Sequence, residues 1–285
     1  MKTNHKLAFA KVIFHALRVG RAMVGLSTKL TARRREIVYG LDLSQGIDLY
    51  IYLFGAFEIT TTAALQRLVK SGDTVVDIGA NVGAHTLHLA KAVGSSGKVF
   101  AFEPTAFAYG KLQRNLALNP GLASSVTVVQ CFLGDGGVSI PGSIPSSWPL
   151  ASEAELHDKH GGELMATSGA STVELDRYLA DANVARLDLI KLDVDGYECS
   201  VLAGARRSME RWKPIVVLEL APHVLEEQGT SVEKLLSFFI PLGYKLFKLD
   251  DSPLPANAKE ICSLISDGES LNVIARSVVA QVKKS

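Results

Sequence analysis

From residue 73 onward, short apolar runs alternate with stretches of helical period. Thr74–Ile78 reads as a buried strand, followed by a glycine turn and a helix through about Val93. Lys98–Phe102 is a second strand, closed by Glu103-Pro104, and 106–118 has the spacing of a helix. Residues 126–132 form a third strand, 187–194 a fourth, Ile215–Leu220 a fifth, 245–249 a sixth and 271–275 a seventh, with helices at 198–211 and 231–242. This rhythm predicts an α/β fold of Rossmann-like type, a mostly parallel sheet with helices on both faces. One stretch breaks it. Between Gly134 and Gly162, glycine and proline recur at a density that denies a long helix, so 136–171 reads as an insertion.

The length suits one large α/β domain with an N-terminal extension, or two small domains. Of 285 residues, 47% are hydrophobic and 21% charged, enough apolar surface for a substantial core. The charge is unevenly spread. Residues 1–35 carry nine bases and no acid, leaving 21 bases against 29 acids in the remainder. We therefore expect a basic helical extension over 1–49 and the folded domain over 50–285. An acidic body argues against nucleic acid as a partner and points to a small-molecule acceptor. The apolar stretch 12–26 is interrupted by His15, Arg18 and Arg21, too short and too charged for a span of about 20 apolar residues. No small-residue cleavage site follows, which argues against a signal peptide. A helix docked on the domain or on a partner subunit is the expectation there; contact with an anionic membrane surface is the alternative. Cys131, Cys199 and Cys262 are odd in number and widely spaced, as expected of a cytoplasmic, reducing setting.

In such sheets ligands bind beyond the carboxyl ends of the strands, where strand order reverses. After the first strand comes Asp77-Ile78-Gly79-Ala80-Asn81-Val82-Gly83. Glycine there permits close approach of a ligand to the backbone, and a helix N-terminus offers N–H groups to an anion. Asp77 can accept from an ammonium group or fix the turn. The spacing is Gly-x-x-x-Gly, not the Gly-x-Gly-x-x-Gly of a dinucleotide site, which disfavours a nicotinamide-dependent oxidoreductase. Glu103 ends the second strand, where an acid can meet the hydroxyls of a ribose.

These blocks, with Phe102-Glu103-Pro104, Cys131-Phe132-Leu133-Gly134-Asp135 and the run Leu189-Ile190-Lys191-Leu192-Asp193-Val194-Asp195-Gly196-Tyr197-Glu198, resemble an FkbM-type methyltransferase. The segment Leu53-Phe54-Gly55-Ala56-Phe57-Glu58 is similar to that family as well. The resemblance spans roughly 50–275. It implies a class I methyltransferase fold whose seventh strand is antiparallel, S-adenosyl-L-methionine as cofactor, and usually O-methylation of a natural product or sugar. It places the cofactor against Asp77, Gly79, Ala80, Asn81, Gly83, Glu103, Pro104 and Asp193, with Leu133, Gly134 and Asp135 near the adenine. Asp195 stands where the family more often has glutamate, and the insertion leaves the acceptor open.

Methyl transfer to an alcohol needs an in-line arrangement and a base within reach of the hydroxyl. Strand ends supply Asp193, Glu219 and His223 as catalytic candidates: Asp193 to orient the acceptor or act as base, Glu219 and His223 as an acid–base pair. Asp195 either meets substrate or shapes the turn at Gly196, and Glu198 belongs to the first turn of a helix. Glu58, His85 and Trp148 are assigned to the substrate side, with 136–171 as a lid. A metal at Asp193, Asp195 and Glu198 lacks a further ligand, and zinc at His157 and His160 lacks a cysteine partner, so no metal is expected. A non-catalytic binding protein on the same fold is the remaining rival.

Overall fold

The computed structural model describes residues 3–137, 140–151 and 162–278. The chain opens with α1 (Thr3–Met23), a hairpin of β1 (Lys29–Arg34) and β2 (Ile37–Asp42), then α2 (Gly46–Phe54) and α3 (Ile59–Leu68). The first half of the main sheet follows: β3 (Thr74–Ile78), α4 (Thr86–Val93), β4 (Lys98–Phe102), α5 (Ala106–Ala117), α6 (Pro120–Ala123) and β5 (Val126–Val129). Next come β6 (Cys131–Leu133), β7 (Ser143–Ser147), β8 (Glu163–Ala166), β9 (Ser171–Val173) and α7 (Leu175–Asp181). The second half is β10 (Leu189–Leu192), α8 (Glu198–Ala203), α9 (Arg206–Trp212), β11 (Ile215–Leu220), α10 (Pro222–Glu227), α11 (Val232–Leu236), β12 (Tyr244–Lys248), α12 (Ala258–Ser263) and β13 (Leu271–Ser277).

Seven strands form one sheet in the order β12-β13-β11-β10-β3-β4-β5, with β13 alone antiparallel to its neighbours. The predicted fold class and the reversed last strand both hold. Order reverses between β3 and β10, so their carboxyl ends flank the crevice. Alternation sorts the side chains: Val75, Leu189 and Val217 pack with Leu65 and Leu89 on one face. Val76, Ile190 and Val216 pack with Leu175, Leu202 and Leu235 on the other. Both faces of the central strands are covered, hence their unbroken apolar runs.

Several boundaries differ from expectation: the strand read at 187–194 is Leu189–Leu192, the helix read at 198–211 divides into α8 and α9, and that read at 231–242 ends at Leu236. Within 1–49, Thr3–Met23 is helical, whereas 29–42 is a hairpin packed against the main domain. Ile37, Tyr39 and Leu41 alternate inward, and the backbone N–H groups of Val38 and Gly40 donate to Asn119 Oδ1 and Asn115 Oδ1 at 2.9 and 3.0 Å. The helix α1 docks beside it through Phe14, buried with Leu43, Leu49 and Leu150. The third strand stops at Val129; beyond Gln130 the chain leaves the sheet, and β6 pairs with β9 instead. No helix among the described residues is long and apolar enough to cross a membrane.

Candidate active site

The carboxyl ends of β3, β4, β10 and β11 converge on one cleft of about 450 Å³, roofed by the ribbon of β7 and β8. Its floor begins at Gly79, where φ is +76° and a Cβ would lie 1.8 Å from the Asp193 carbonyl oxygen. The glycine is thus required by the meeting of two strand ends. The N–H groups of Gly79 and Ala80 both donate to Phe102 O at 3.0 Å, tying the turn to β4. Asn81 is left-handed, and its N–H donates to Glu103 Oε2 at 2.9 Å.

Two predicted cofactor residues lie behind this wall. Asp77 is fully buried and accepts from Thr86 Oγ1 at 2.6 Å, so it fixes the turn and α4 rather than lining the cleft. Gly83 is likewise structural: a Cβ there would meet Leu112 Cδ1 of α5 at 2.4 Å.

Glu103 and Pro104 line the cleft. The Glu103 carboxylate also takes N–H and O–H bonds from Thr105 on Oε1. Three of its roughly four lone-pair sites are used within the protein, which leaves room on Oε2 for about one ligand hydroxyl. Burial pushes this carboxyl up, against the donors of Thr105 and Asn81.

At the end of β10 stands a residue for which the sequence reading assigned no role. Lys191 is 4% exposed. Its Nζ lies 3.2 Å from Asp193 Oδ2, 3.3 Å from Gly79 O and 3.8 Å from Asp77 Oδ1. Burial alone would favour the neutral amine, but Asp193, Asp77 and Glu58 outweigh it and hold the ammonium above its ordinary range. A lone charge inside an apolar strand was the available signal, since buried charges need partners.

Asp193 and Asp195 line the cleft, and Asp195 is left-handed at φ 48°. Burial, then the nearby Asp193 and Glu198, push the Asp195 carboxyl up to about 8. Glu198 opens α8, and its Oε1 accepts from the N–H groups of Val194 and Gly196, so it holds the turn. Burial raises its carboxyl to about 7. Glu219 accepts from Ser270 Oγ; burial and then the Asp193 charge push it well above the usual carboxylate range. His223, in the first turn of α10, shares the same wall.

Glu58, His85 and Trp148 line the opposite side. Trp148 is anchored through its carbonyl, which accepts from Gly46 N–H at 2.8 Å. The ribbon contributes Ile144, Pro145 and Ser146, so the described part of the insertion does cover the cleft. Leu133, Gly134 and Asp135, expected near the adenine, do not line this cleft, since β6 has left the sheet. Leu133 is buried in the core, the Gly134 carbonyl abuts Gly204, and Asp135 is exposed, its N–H donating to Ser200. No group of three or more His, Cys, Asp or Glu among the described residues is placed to hold a metal ion, and His157 and His160 lie outside those residues.

The wall is strongly acidic: Glu58, Glu103, Asp193, Asp195, Glu219 and Glu227 face Lys191, His85 and His223. Such a field favours a cationic ligand. The sequence model described as Methyltransferase FkbM domain matches residues 77–246, more than half of the chain. Similar curated proteins include methyltransferase sdnD of Sordaria araneosa, 28% identical over 200 residues, covering 58% of this chain and 76% of that protein. Another is the hexuronic acid methyltransferase AglP of Haloferax volcanii, 27% identical over 176 residues, covering 61% and 65%. Among solved structures, the methyltransferase FkbM of Methylobacillus flagellatus KT is 19% identical, covers 72% of this chain and 44% of that one, and gives a TM-score of 0.41.

Proposed function

The chain belongs to the FkbM methyltransferase family, whose members depend on S-adenosylmethionine, and on that footing we propose that it O-methylates a hydroxyl of a small-molecule natural product or sugar. The observation that carries this reading is the acid-lined cleft at the switch point, where four strand ends meet. The relative named as a hexuronic acid methyltransferase supports a sugar-like acceptor.

The residues present fit the cofactor. Backbone of Gly79, Ala80 and Asn81, the remaining lone pair of Glu103, and Asp193 would hold it; Pro104 would flank the nucleoside. When bound, S-adenosylmethionine supplies a methyl group made electrophilic by its sulfonium. The protein's part is to hold the acceptor in line, worth up to about 7–11 kcal/mol of barrier, and to keep water out beneath the ribbon and Trp148. Asp193 is tied to Lys191, which suits it to orienting rather than to taking a proton.

Calorimetry with S-adenosylhomocysteine and NADH tests the cofactor assignment: the first should bind and the second should not. Incubation with labelled S-adenosylmethionine and a fractionated extract of the source organism should then label a small molecule through an ether methyl. Failure to bind S-adenosylhomocysteine sinks the reading; binding without any transfer favours a non-catalytic binding protein.

A pH dependence follows from the raised carboxyls. With its carboxyl pushed up to about 8, Asp195 is largely protonated at neutral pH in the ligand-free protein, and burial with the Asp193 charge raises Glu219 as well, beside Glu58, Glu103, Glu198 and Lys191. A sulfonium favours their ionised forms, so binding lowers their pKa and releases protons. Affinity for S-adenosylmethionine should therefore rise between about pH 6 and 8, by up to about tenfold per pH unit for each proton released. The uncharged thioether of S-adenosylhomocysteine should show a shallower rise. Calorimetry across this range, in buffers of different ionisation heat, checks both; equal slopes would contradict the argument.

A further inference from the structure

His85 lies in the turn before α4, 5% exposed, on the wall of the cleft. Thr62 Oγ1 is 2.8 Å from the Phe57 carbonyl and 3.3 Å from His85 Nδ1. A carbonyl has no hydrogen to give, so the single hydroxyl proton of Thr62 goes to Phe57 O. The Nδ1 of His85 must then donate to Thr62, which fixes the tautomer and leaves Nε2 bare in the neutral ring. That nitrogen is buried and has no hydrogen-bond partner among the described residues. Facing it at 3.6 Å is Glu58 Oε2.

Glu58 adds two observations. It is held left-handed at φ 41°, at the N-cap of α3, a conformation that costs a non-glycine residue energy and clusters at functional sites. Burial would raise its carboxyl, but a protonated His85 ring and then Lys191 hold it below the ordinary range, which is the pairing an imidazolium at this position would make. With the ring neutral, His85 Nε2 and Glu58 Oε2, the latter also taking a 3.4 Å hydrogen bond from Asn272 Nδ2, are two acceptors that converge on one point of the cleft. What completes that point is a donor hydrogen.

We propose that His85 Nε2, backed by Glu58, takes the proton of the acceptor hydroxyl during methyl transfer. The acceptor oxygen forms its bond to the methyl carbon as the carbon–sulfur bond breaks, the bonding pair passing to sulfur. The O–H proton goes to Nε2, the imidazolium is balanced by the Glu58 carboxylate, and the proton passes to water once the products leave. Phe57, beside the His85 ring at a centroid distance of 6.1 Å, helps keep this corner apolar. Glu58 is a positioning residue in this scheme and His85 the catalytic one.

This rests on the O-methyltransferase reading, and the first test does not need the acceptor. Long-range proton–nitrogen correlation on the full-length, nitrogen-15-labelled protein, at a pH where the ring is neutral, should show His85 protonated on Nδ1. Thr62→Val should abolish that preference. An Nε2–H tautomer in the wild type overturns the proposal, whatever the outcome of the cofactor experiments. With the acceptor from the labelling experiment, His85→Gln should bind S-adenosylhomocysteine within about twofold of wild type, while kcat falls by about 10²–10⁴-fold. Added imidazole should restore part of the turnover of His85→Ala, which loss of a packing residue would not allow. Glu58→Gln should lower kcat with little change in KM. Full kcat in His85→Gln overturns the assignment, and if that variant does not fold, the wild-type tautomer decides alone.

Discussion

Gly79→Ala should leave no measurable affinity for S-adenosylhomocysteine and should destabilise the protein by about 2–4 kcal/mol. The added Cβ would stand 1.8 Å from the Asp193 carbonyl oxygen and 3.0 Å from its carbon, both backbone atoms. Neither strand can give way cheaply. Asp193 N–H donates to Ile78 O at 3.2 Å, and Gly79 N–H donates to Phe102 O at 3.0 Å, so the turn is pinned between β10 and β4. The left-handed φ of +76° adds about 1–2 kcal/mol of strain for any L side chain. Relief would have to come from moving the turn itself, and the turn carries Ala80 and Asn81 into the cleft. Urea unfolding and calorimetry read the two effects separately. Gly121→Ala is the control, since nothing lies within 4 Å of a Cβ there; it should change stability by no more than about 0.5 kcal/mol. If Gly79→Ala binds normally, the turn is not part of the cofactor's seat.

That position also shows how far sequence reasoning reaches. The strand–glycine–helix order was legible because central parallel strands, buried on both faces, appear as apolar runs with sharp ends. The reason for each glycine was not. Gly79 answers to the backbone of Asp193 and Gly83 to Leu112 of α5, and contacts that distant leave no local pattern. The hairpin at 29–42 escaped because Lys29, Arg33 and Arg34 made the region look like a basic arm. The alternation of Ile37, Tyr39 and Leu41 in β2 was present all along. Residues 126–132 read as one strand because Gln130 is their only polar break after Thr127; a single residue does not disclose that the chain changes sheets there. Glu58, Glu103, Asp193 and Glu219 were found by the strand-end rule and by resemblance. Their meeting with His85 across the cleft depends on α3, which no motif places.

Lys191→Met is expected to be the most damaging single substitution at the site, costing about 3–5 kcal/mol of stability and abolishing methyl transfer. Methionine matches the length and keeps the apolar stem packed, so the loss isolates the ammonium. Without it, Asp77, Asp193 and Glu58 lose a shared counter-ion, and Asp77 loses it in a region shut off from water. Asp77 suffers most, being fully buried, with Oδ1 lacking any hydrogen-bond partner among the described residues and Lys191 Nζ 3.8 Å away. Asp193 loses the 3.2 Å contact that orients it toward the cleft. Removing one partner of a buried ionic cluster leaves uncompensated charge, which costs more than the cluster itself contributes to stability. A second substitution tests that reasoning. Asp77→Asn in the Lys191→Met background should recover about 1–3 kcal/mol, because it removes the stranded charge, whereas in the wild type it should be destabilising. Activity should not return with stability, since Asp193 is still unanchored. Chemical unfolding of the four proteins of this cycle gives the coupling directly. A Lys191→Met protein within about 1 kcal/mol of wild type, or a double variant no more stable than the single one, would show that the ammonium is not what holds these carboxylates together.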